Sequence, residues 1–475
     1  MLDSERVQGG AEEAPGFLLR TWESVRSAWR DLSGTESPLA GRTELGTREL
    51  ADLEKRIEAC LERRGGEVSA RQRAAGLGQI YLTLARAGRR QFLSVLSTRF
   101  GPSRQAVDEA VAAYQAAEDD AARHGAQERL RRALTAPRVE LLTQFNALPQ
   151  GVKFLVDMRA EVLEFLPDAP ELAPLERDLK GLLRSWFDIG FLEMQAINWQ
   201  SPAALLEKLI EYEAVHEIRG WHDLHNRLAD DRRLYAFFHP NMPMEPLIFV
   251  EVALVKGLAA NVQVLLDEKA PTADPRQQDT AIFYSISNTQ KGLRGISLGN
   301  FLIKRVVDDL RHELPNLRTF STLSPIPGFR RWLDRAIAEG APRILTADDR
   351  KKLRQATGGT VAKGHLPKLI ADPSWVGDKA LAEALKEPLT RLCARYLVEE
   401  KRGDKPLDPV ARFHLSNGAQ VERINWMGDL SPKGVEQSAG MMVNYLYKLP
   451  DIEKNHERFA EEGHIAVGGQ VKSLL

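Results

Sequence analysis

A chain of 475 residues is too long for one ordinary hydrophobic core and implies two or three domains. Its 65 basic and 66 acidic residues leave no cationic surplus of the kind a nucleic-acid partner requires. The two cysteines, Cys60 and Cys393, are too few and too distant for a zinc site or a disulfide framework, and no apolar run is long enough to span a membrane.

Residues 1–15 are polar, with Asp3, Glu5, Glu12 and Glu13, and are expected to be disordered; they read as neither a secretory signal nor a transit peptide. Residues 16–188 are expected to form an antiparallel helical bundle. Leu77, Ile80, Leu84 and Ala87 make one apolar stripe, which Phe92, Val95 and Leu96 continue past Gly88. Gly101-Pro102-Ser103 is a stop followed by a capping serine, and Val107, Val111 and Tyr114 line the next helix. Pro137 opens another helix, and Leu175, Leu179, Leu182, Leu183 and Trp186 form the last strong stripe. The charges of this half, such as Glu128, Arg129, Arg131 and Arg132, have the spacing of a solvated face, so the bundle is expected to be structural and to carry homo-oligomer contacts.

From Ile189 aromatic residues and short apolar runs become common, and residues 189–475 are expected to form a mixed α/β domain, giving an α+β chain overall. Ser201-Pro202 precedes a helix with Leu205, Leu209 and Tyr212. His216, His222 and His225, with Glu217 and Asp223, do not complete a recognisable ligand set, so no metal is expected. Leu247 to Val255 reads as a strand, and Val262 to Leu266 as its hairpin partner after the turn at Lys256-Gly257. Ala281 to Ser287 is a second apolar strand. It is followed by a glycine-bearing loop, a helix through Leu302, Val306, Leu310 and Leu314, and a strand from Arg318 that ends at Ser324-Pro325-Ile326-Pro327-Gly328.

That order predicts a parallel pair of strands joined by a right-handed crossover. The helix N-terminus behind the loop would offer free N–H groups to a phosphate, with Ser324 at the same sheet edge. Helices resume from Phe329 to about Glu400, and Val410 to Trp426 reads as two strands around a Ser416-Asn417-Gly418 turn, with His414 on the first. Near the C-terminus Asn444, Tyr445 and Tyr447 read mainly as core. The final Val471-Lys472-Ser473-Leu474-Leu475 is near, but not the same as, the Ser-Lys-Leu peroxisomal address, so the cytoplasm is the expected location.

Five segments carry a resemblance: PLIFVEVALVKGL from Pro246, AIFYSISNTQKGLRGISLGNFLIKRVV from Ala281, TFSTLSPIPGFRRWL from Thr319, FHLSNGA from Phe413 and RINWMGDLSPKGVEQSAGMMVNYLY from Arg423. On these the chain resembles the malonyl-CoA decarboxylase family, closely after Ile189 and more loosely in the helical half. The resemblance implies a catalytic domain with the GNAT acetyltransferase fold and an acyl-CoA held by the loop Arg294, Gly295, Ile296, Ser297, Leu298, Gly299 and Asn300. In the superfamily's loop pattern Ser297 stands where a glycine is usual. The catalytic serine falls on Ser324 and the catalytic histidine on His414. The implied partners are malonyl-CoA and acetyl-CoA, with no cofactor, because the thioester carbonyl is itself the electron sink.

Decarboxylation of a malonyl thioester leaves an enolate that needs oxyanion donors, worth about 3 to 4 kcal/mol each, and a proton source. An imidazole with a pKa of about 6.5 is partly protonated near neutrality and suits the second task. Ser324 can donate to the carboxylate or relay a proton. Two other readings are an N-acetyltransferase of the same fold, which needs an amine acceptor and a base, and a CoA-binding protein without catalysis, against which the Ser324 and His414 pair speaks.

Overall fold

The computed structural model describes residues 17–33, 42–62, 66–187, 189–296, 302–359 and 365–475. Two compact units emerge: Met1–Phe191 with His239–Pro243 and Gln290–Ser297, and Leu192–Phe238 with Met244–Thr289 and Leu298–Leu475.

The first unit is helical, with α1 Phe17–Ser33, α2 Thr47–Leu61, α3 Gly66–Thr83, α4 Arg86–Arg99 and α5 Arg104–Gln115. It continues through α6 Asp120–Leu134, α7 Pro137–Asn146, α8 Gly151–Phe165 and α9 Ala173–Trp186. Ser103 caps α5 by accepting from the Ala106 N–H, and Pro137 occupies the first position of α7. The single stripe read across Gly88 is two helices, parted at Leu84-Ala85, with Gly88 inside the second. An aromatic cluster of Trp29, Tyr81, Phe92, Phe145 and Phe154 fills the interior, with Trp29 and Phe154 centroids 4.7 Å apart. Glu128, Arg129, Arg131 and Arg132 lie exposed, as their spacing predicts.

The second unit is built on an eight-stranded sheet: β1 Glu193–Ile197, β2 Arg232–Phe238, β3 Ile248–Val255, β4 Thr280–Asn288, β5 Thr319–Thr322 and β6 Ser324–Pro325 are its first members. A small hairpin of β7 Lys401–Arg402 and β8 Lys405–Pro406 stands apart, and β9 Gln420–Asn425 and β10 Met442–Leu446 complete the large sheet. Around these run α10 Ala203–Tyr212, α11 Trp221–Arg227, α12 Val262–Leu265, α13 Leu302–Glu313, α14 Phe329–Ala338 and α15 Ala347–Thr357. The remainder are α16 Leu366–Ala371, α17 Lys379–Val398, α18 Pro409–Ser416, α19 Pro432–Ser438, α20 Ile452–Glu462 and α21 Gly469–Lys472.

The sheet order is β1-β2-β3-β4-β5-β10-β6, with β9 on β10, and only β4 and β5 are parallel. Their ladder runs from Thr280↔Thr319 to Phe283↔Thr322 and stops there, although β4 continues to Asn288. Leu323 donates to the Phe283 carbonyl at 3.0 Å, after which Ser324 and Pro325 pair with Val443 and Met442 of β10. Among the described residues the far half of β4 therefore has no strand on that side, and the chain turns away from it at the serine. The α+β architecture and the strand, loop, helix, strand order agree with the sequence reading.

Two sequence expectations fail. Val262 to Leu265 is a helix capped by Asn261, whose side chain accepts from the Val264 N–H, so it does not return as a strand. Residues 409–416 are also helical. Asp408 accepts from the N–H groups of Val410 and Ala411, Pro409 sits in the first turn, and Asn417-Gly418 ends the helix with Gly418 at φ +81°. An Asn-Gly pair serves a helix C-terminus as well as a hairpin, and the Asp-Pro start decides between them.

Candidate active site

Ser324 and His414, 90 residues apart in sequence, meet inside the second unit with Oγ and Nε2 3.2 Å apart. The bend after Leu323 brings the serine off the β4 ladder, and the last turn of α18 carries the histidine. Both side chains are buried, 5% and 3% exposed. They line a cavity of about 230 Å³ with Tyr284, Asn288, Val410 and Phe413, at the half of β4 that lacks a parallel partner.

The pair belongs to a longer hydrogen-bonded chain. Tyr447 Oη lies 2.8 Å from His414 Nδ1, and Ser324 Oγ donates to Thr322 Oγ1 at 2.9 Å. Thr322 Oγ1 also accepts the Tyr445 N–H at 3.1 Å. With the serine hydrogen directed to Thr322, the hydrogen of a neutral His414 sits on Nε2 and faces Ser324, and Nδ1 accepts from Tyr447. The Tyr445 ring stacks on the imidazole at 4.6 Å. Asn444, fully buried, donates to the Thr322 carbonyl at 2.7 Å and to that of Ala259 at 3.0 Å, while its oxygen accepts from Arg423 and Asn425. Asn444 and Tyr445 of β10 and Tyr447 just beyond it are core, as read, and the two tyrosines also contact the imidazole.

Burial pushes the His414 pKa down to about 3. No carboxylate offsets the desolvation, so the free site holds a neutral imidazole at neutral pH, unlike the partly protonated histidine that its reference pKa suggests. Desolvation also raises Glu251 to about 8 despite the Arg227 guanidinium 3.1 Å away. Tyr284 hydrogen-bonds to Glu251, and the Glu213 carboxylate accepts from the Ser285 and Ser287 hydroxyls at 2.8 and 2.9 Å. Behind the apolar wall of the cavity, β4 thus carries a satisfied polar layer.

The loop that the sequence assigns to acyl-CoA starts in the first unit. Gly295 has φ +75°, Arg294 is exposed and Ile296 is buried, whereas Ser297, Leu298, Gly299 and Asn300 lie outside the described residues. Arg159 of α8, 1% exposed, donates to the carbonyls of Gly292 and Arg294 and pairs with Glu176 of α9 at 2.7 Å. Gly292 lies so close to α8 that a Cβ there would come within 1.8 Å of the Val156 carbonyl oxygen. The helical half, which reads as purely structural, contributes the side chain that holds this loop's base. No sequence signal links Arg159 to a segment about 135 residues later.

Among the described residues no group of three or more His, Cys, Asp or Glu is placed to hold a metal ion. His222 pairs with Glu268, and His225 packs on Trp199.

Comparison with known proteins gives a consistent picture. The malonyl-CoA decarboxylase C-terminal domain matches residues 190–475, and the corresponding N-terminal domain matches residues 100–187. The mitochondrial malonyl-CoA decarboxylase of Anser anser anser is 39% identical over 86% of this chain and 84% of its own length. The mitochondrial enzyme of Rattus norvegicus is 40% identical over 74% of this chain and 73% of its own. The crystal structure of malonyl-CoA decarboxylase from Rhodopseudomonas palustris superimposes with a TM-score of 0.82 at 43% identity, covering 89% of this chain and 99% of that one. That from Agrobacterium vitis gives a TM-score of 0.80 at 45% identity, with the same coverage of both chains. The chain therefore belongs to the malonyl-CoA decarboxylase family.

Proposed function

We propose that the chain decarboxylates malonyl-CoA to acetyl-CoA and carbon dioxide through a thioester enolate that His414 protonates. The observation that carries the mechanism is the Ser324 and His414 pair, 3.2 Å apart and buried on the wall of one cavity. A malonyl carboxylate entering beside the neutral imidazole is an opposite charge in a low dielectric, which raises the imidazole pKa and draws in a proton from solvent. Nδ1 then donates to Tyr447, whose hydroxyl can reverse its role from donor to acceptor. Nε2–H and Ser324 hold the carboxylate.

As the C–C bond breaks, its electrons pass into the thioester carbonyl and the carboxylate leaves as neutral carbon dioxide. The imidazolium proton goes to the α-carbon, directly or through Ser324, and His414 returns to its neutral state. Carbonyl polarisation by nearby donors supplies the remaining stabilisation.

Arg294, Gly295, Ile296, Ser297, Leu298, Gly299 and Asn300 hold the acyl-CoA in this reading, supported by the left-handed Gly295 and the Arg159 anchor. The helical region carries homo-oligomer contacts; exposed Tyr114 and Leu134 on α5 and α6 favour this, and Leu134→Glu with Tyr114→Glu is expected to lower the assembly size in sedimentation, an unchanged size refuting it. Two free, buried cysteines fit a reducing compartment, and the cytoplasm is proposed, to be checked by cell fractionation. Among the described residues no helix is long and apolar enough to cross a membrane.

Incubating the purified chain with malonyl-CoA alone and following acetyl-CoA tests the reaction. Absence of turnover would sink it, and acetyl transfer to an added amine would favour the acetyltransferase reading.

A further inference from the structure

Beside the dyad cavity lies a larger one of about 560 Å³, and Pro409 at the head of α18 lines both. Arg331 and Arg335 of α14 and Lys401 and Arg402 of β7 face it, together with Trp332 and Tyr396. All four cations are exposed and no carboxylate lines the cleft. Among the described residues Arg331, Arg335 and Arg402 form no ion pair, and Lys401 donates to a carbonyl, that of Gly463, at 3.2 Å.

Asp404, in the turn between β7 and β8, is exposed and does not line the cleft, and three other neighbouring carboxylates are engaged elsewhere. Asp334 faces Arg330 at 3.9 Å, Glu400 pairs with Arg395 at 3.1 Å, and the buried Asp408 accepts from the Tyr396 hydroxyl at 3.3 Å. In a chain with 65 basic and 66 acidic residues, this concentration is local.

Four like charges held together repel one another until an anion joins them. One carboxylate would not use four donors or this volume, whereas phosphates suit arginine forks, and the size is that of a small-molecule pocket. Trp332 and Tyr396 add an aromatic wall. Coenzyme A carries a ribose 3′-phosphate besides its pyrophosphate, and that dianion needs cations of its own.

We propose that this cleft seats a phosphorylated adenine nucleotide. Its source is the nucleotide end of the acyl-CoA whose thioester occupies the adjoining cavity, or a free nucleotide; the first source rests on the function proposed above. The experiment compares wild type with the double variant Arg335→Glu, Arg402→Glu, in which two exposed side chains change, after matched thermal melts. Calorimetry measures binding of adenosine 3′,5′-bisphosphate, and kinetics compare malonyl-CoA with malonyl-pantetheine, which lacks the nucleotide.

Wild type is expected to bind the bisphosphate and the variant to bind it at least about tenfold more weakly. A rise in KM of similar size for malonyl-CoA, with malonyl-pantetheine kinetics unchanged, identifies the substrate's own nucleotide. Lost bisphosphate binding with both KM values unchanged identifies a free nucleotide. Equal binding by the two proteins, or none by wild type, overturns the proposal. If wild type fails to decarboxylate, the function falls while the calorimetry still decides this site.

Discussion

At the scale of single residues, the dyad is defined as much by what it lacks as by what it holds. His414 has a tyrosine at one nitrogen, a serine at the other and, among the described residues, no carboxylate that offsets its burial, so the imidazole is neutral near pH 7. His414→Asn and Ser324→Ala are each expected to lower kcat by at least about a hundredfold while leaving CoA binding nearly intact, and wild-type rates in either would remove that residue from the mechanism. The depressed pKa also has a stability consequence. The unfolded chain, with a histidine pKa near 6.5, binds a proton that the folded chain does not bind until about pH 3. Folding stability thus falls as the pH drops through that window and recovers above it. Melting temperatures at pH 7 and pH 5 should show a smaller loss for His414→Asn than for wild type; an equal loss would contradict the neutral buried imidazole.

At the scale of elements, α18 is, with α12, a piece that sequence patterning misassigned. Phe413, His414 and Leu415 flanked by Asn417-Gly418 satisfy a strand-and-hairpin template, but the deciding contact is Asp408 bonding back to Val410 and Ala411. Gly418 confirms the helix end: besides its positive φ, a Cβ there would sit 2.2 Å from the Ile452 carbonyl oxygen. The strand, loop, helix and strand from Thr280 to Thr322 were legible because a continuous apolar run, buried almost throughout in β4, gives way after the loop to apolar residues at three- to four-residue spacing. The element order alone set Ser324 at the sheet edge, whereas His414 stood out only through the resemblance, since its neighbours Ser324 and Tyr447 lie 90 and 33 residues away. Asp408→Ala is expected to destabilise the fold by about 1 kcal/mol through the lost cap, and further through the Tyr396 hydroxyl left unpaired. Thermal melts with kcat measurements check this; Asp408→Asn, which keeps an acceptor, should recover most of both, and no recovery would assign the effect to charge instead.

At the scale of the whole molecule, contact density does not follow the chain. The segment beginning at Gln290 clusters with the helical unit, while the strand before it and the helix after it cluster with the sheet. Arg159 explains the choice, because its buried guanidinium satisfies two carbonyls of the loop and is neutralised by Glu176. Arg159→Met, similar in bulk but without donors, should leave those carbonyls and the Glu176 carboxylate short of partners. The expected result is a several-fold rise in KM for malonyl-CoA with a smaller change in kcat, measured by initial rates. A kcat defect at unchanged KM would mean that the anchor does not serve the acyl-CoA loop. Pairing of this kind, between α8 and a turn some 135 positions later, leaves no periodic trace in a sequence.

That anchor changes how variation on α8 of this chain would be read. A substitution on α8 would ordinarily be filed as a lesion of a scaffold, to be rescued by anything that raises folding yield. If the expected rise in KM is found, the loss of Arg159 would also emerge as weaker substrate capture, which a screen for abundance alone would miss.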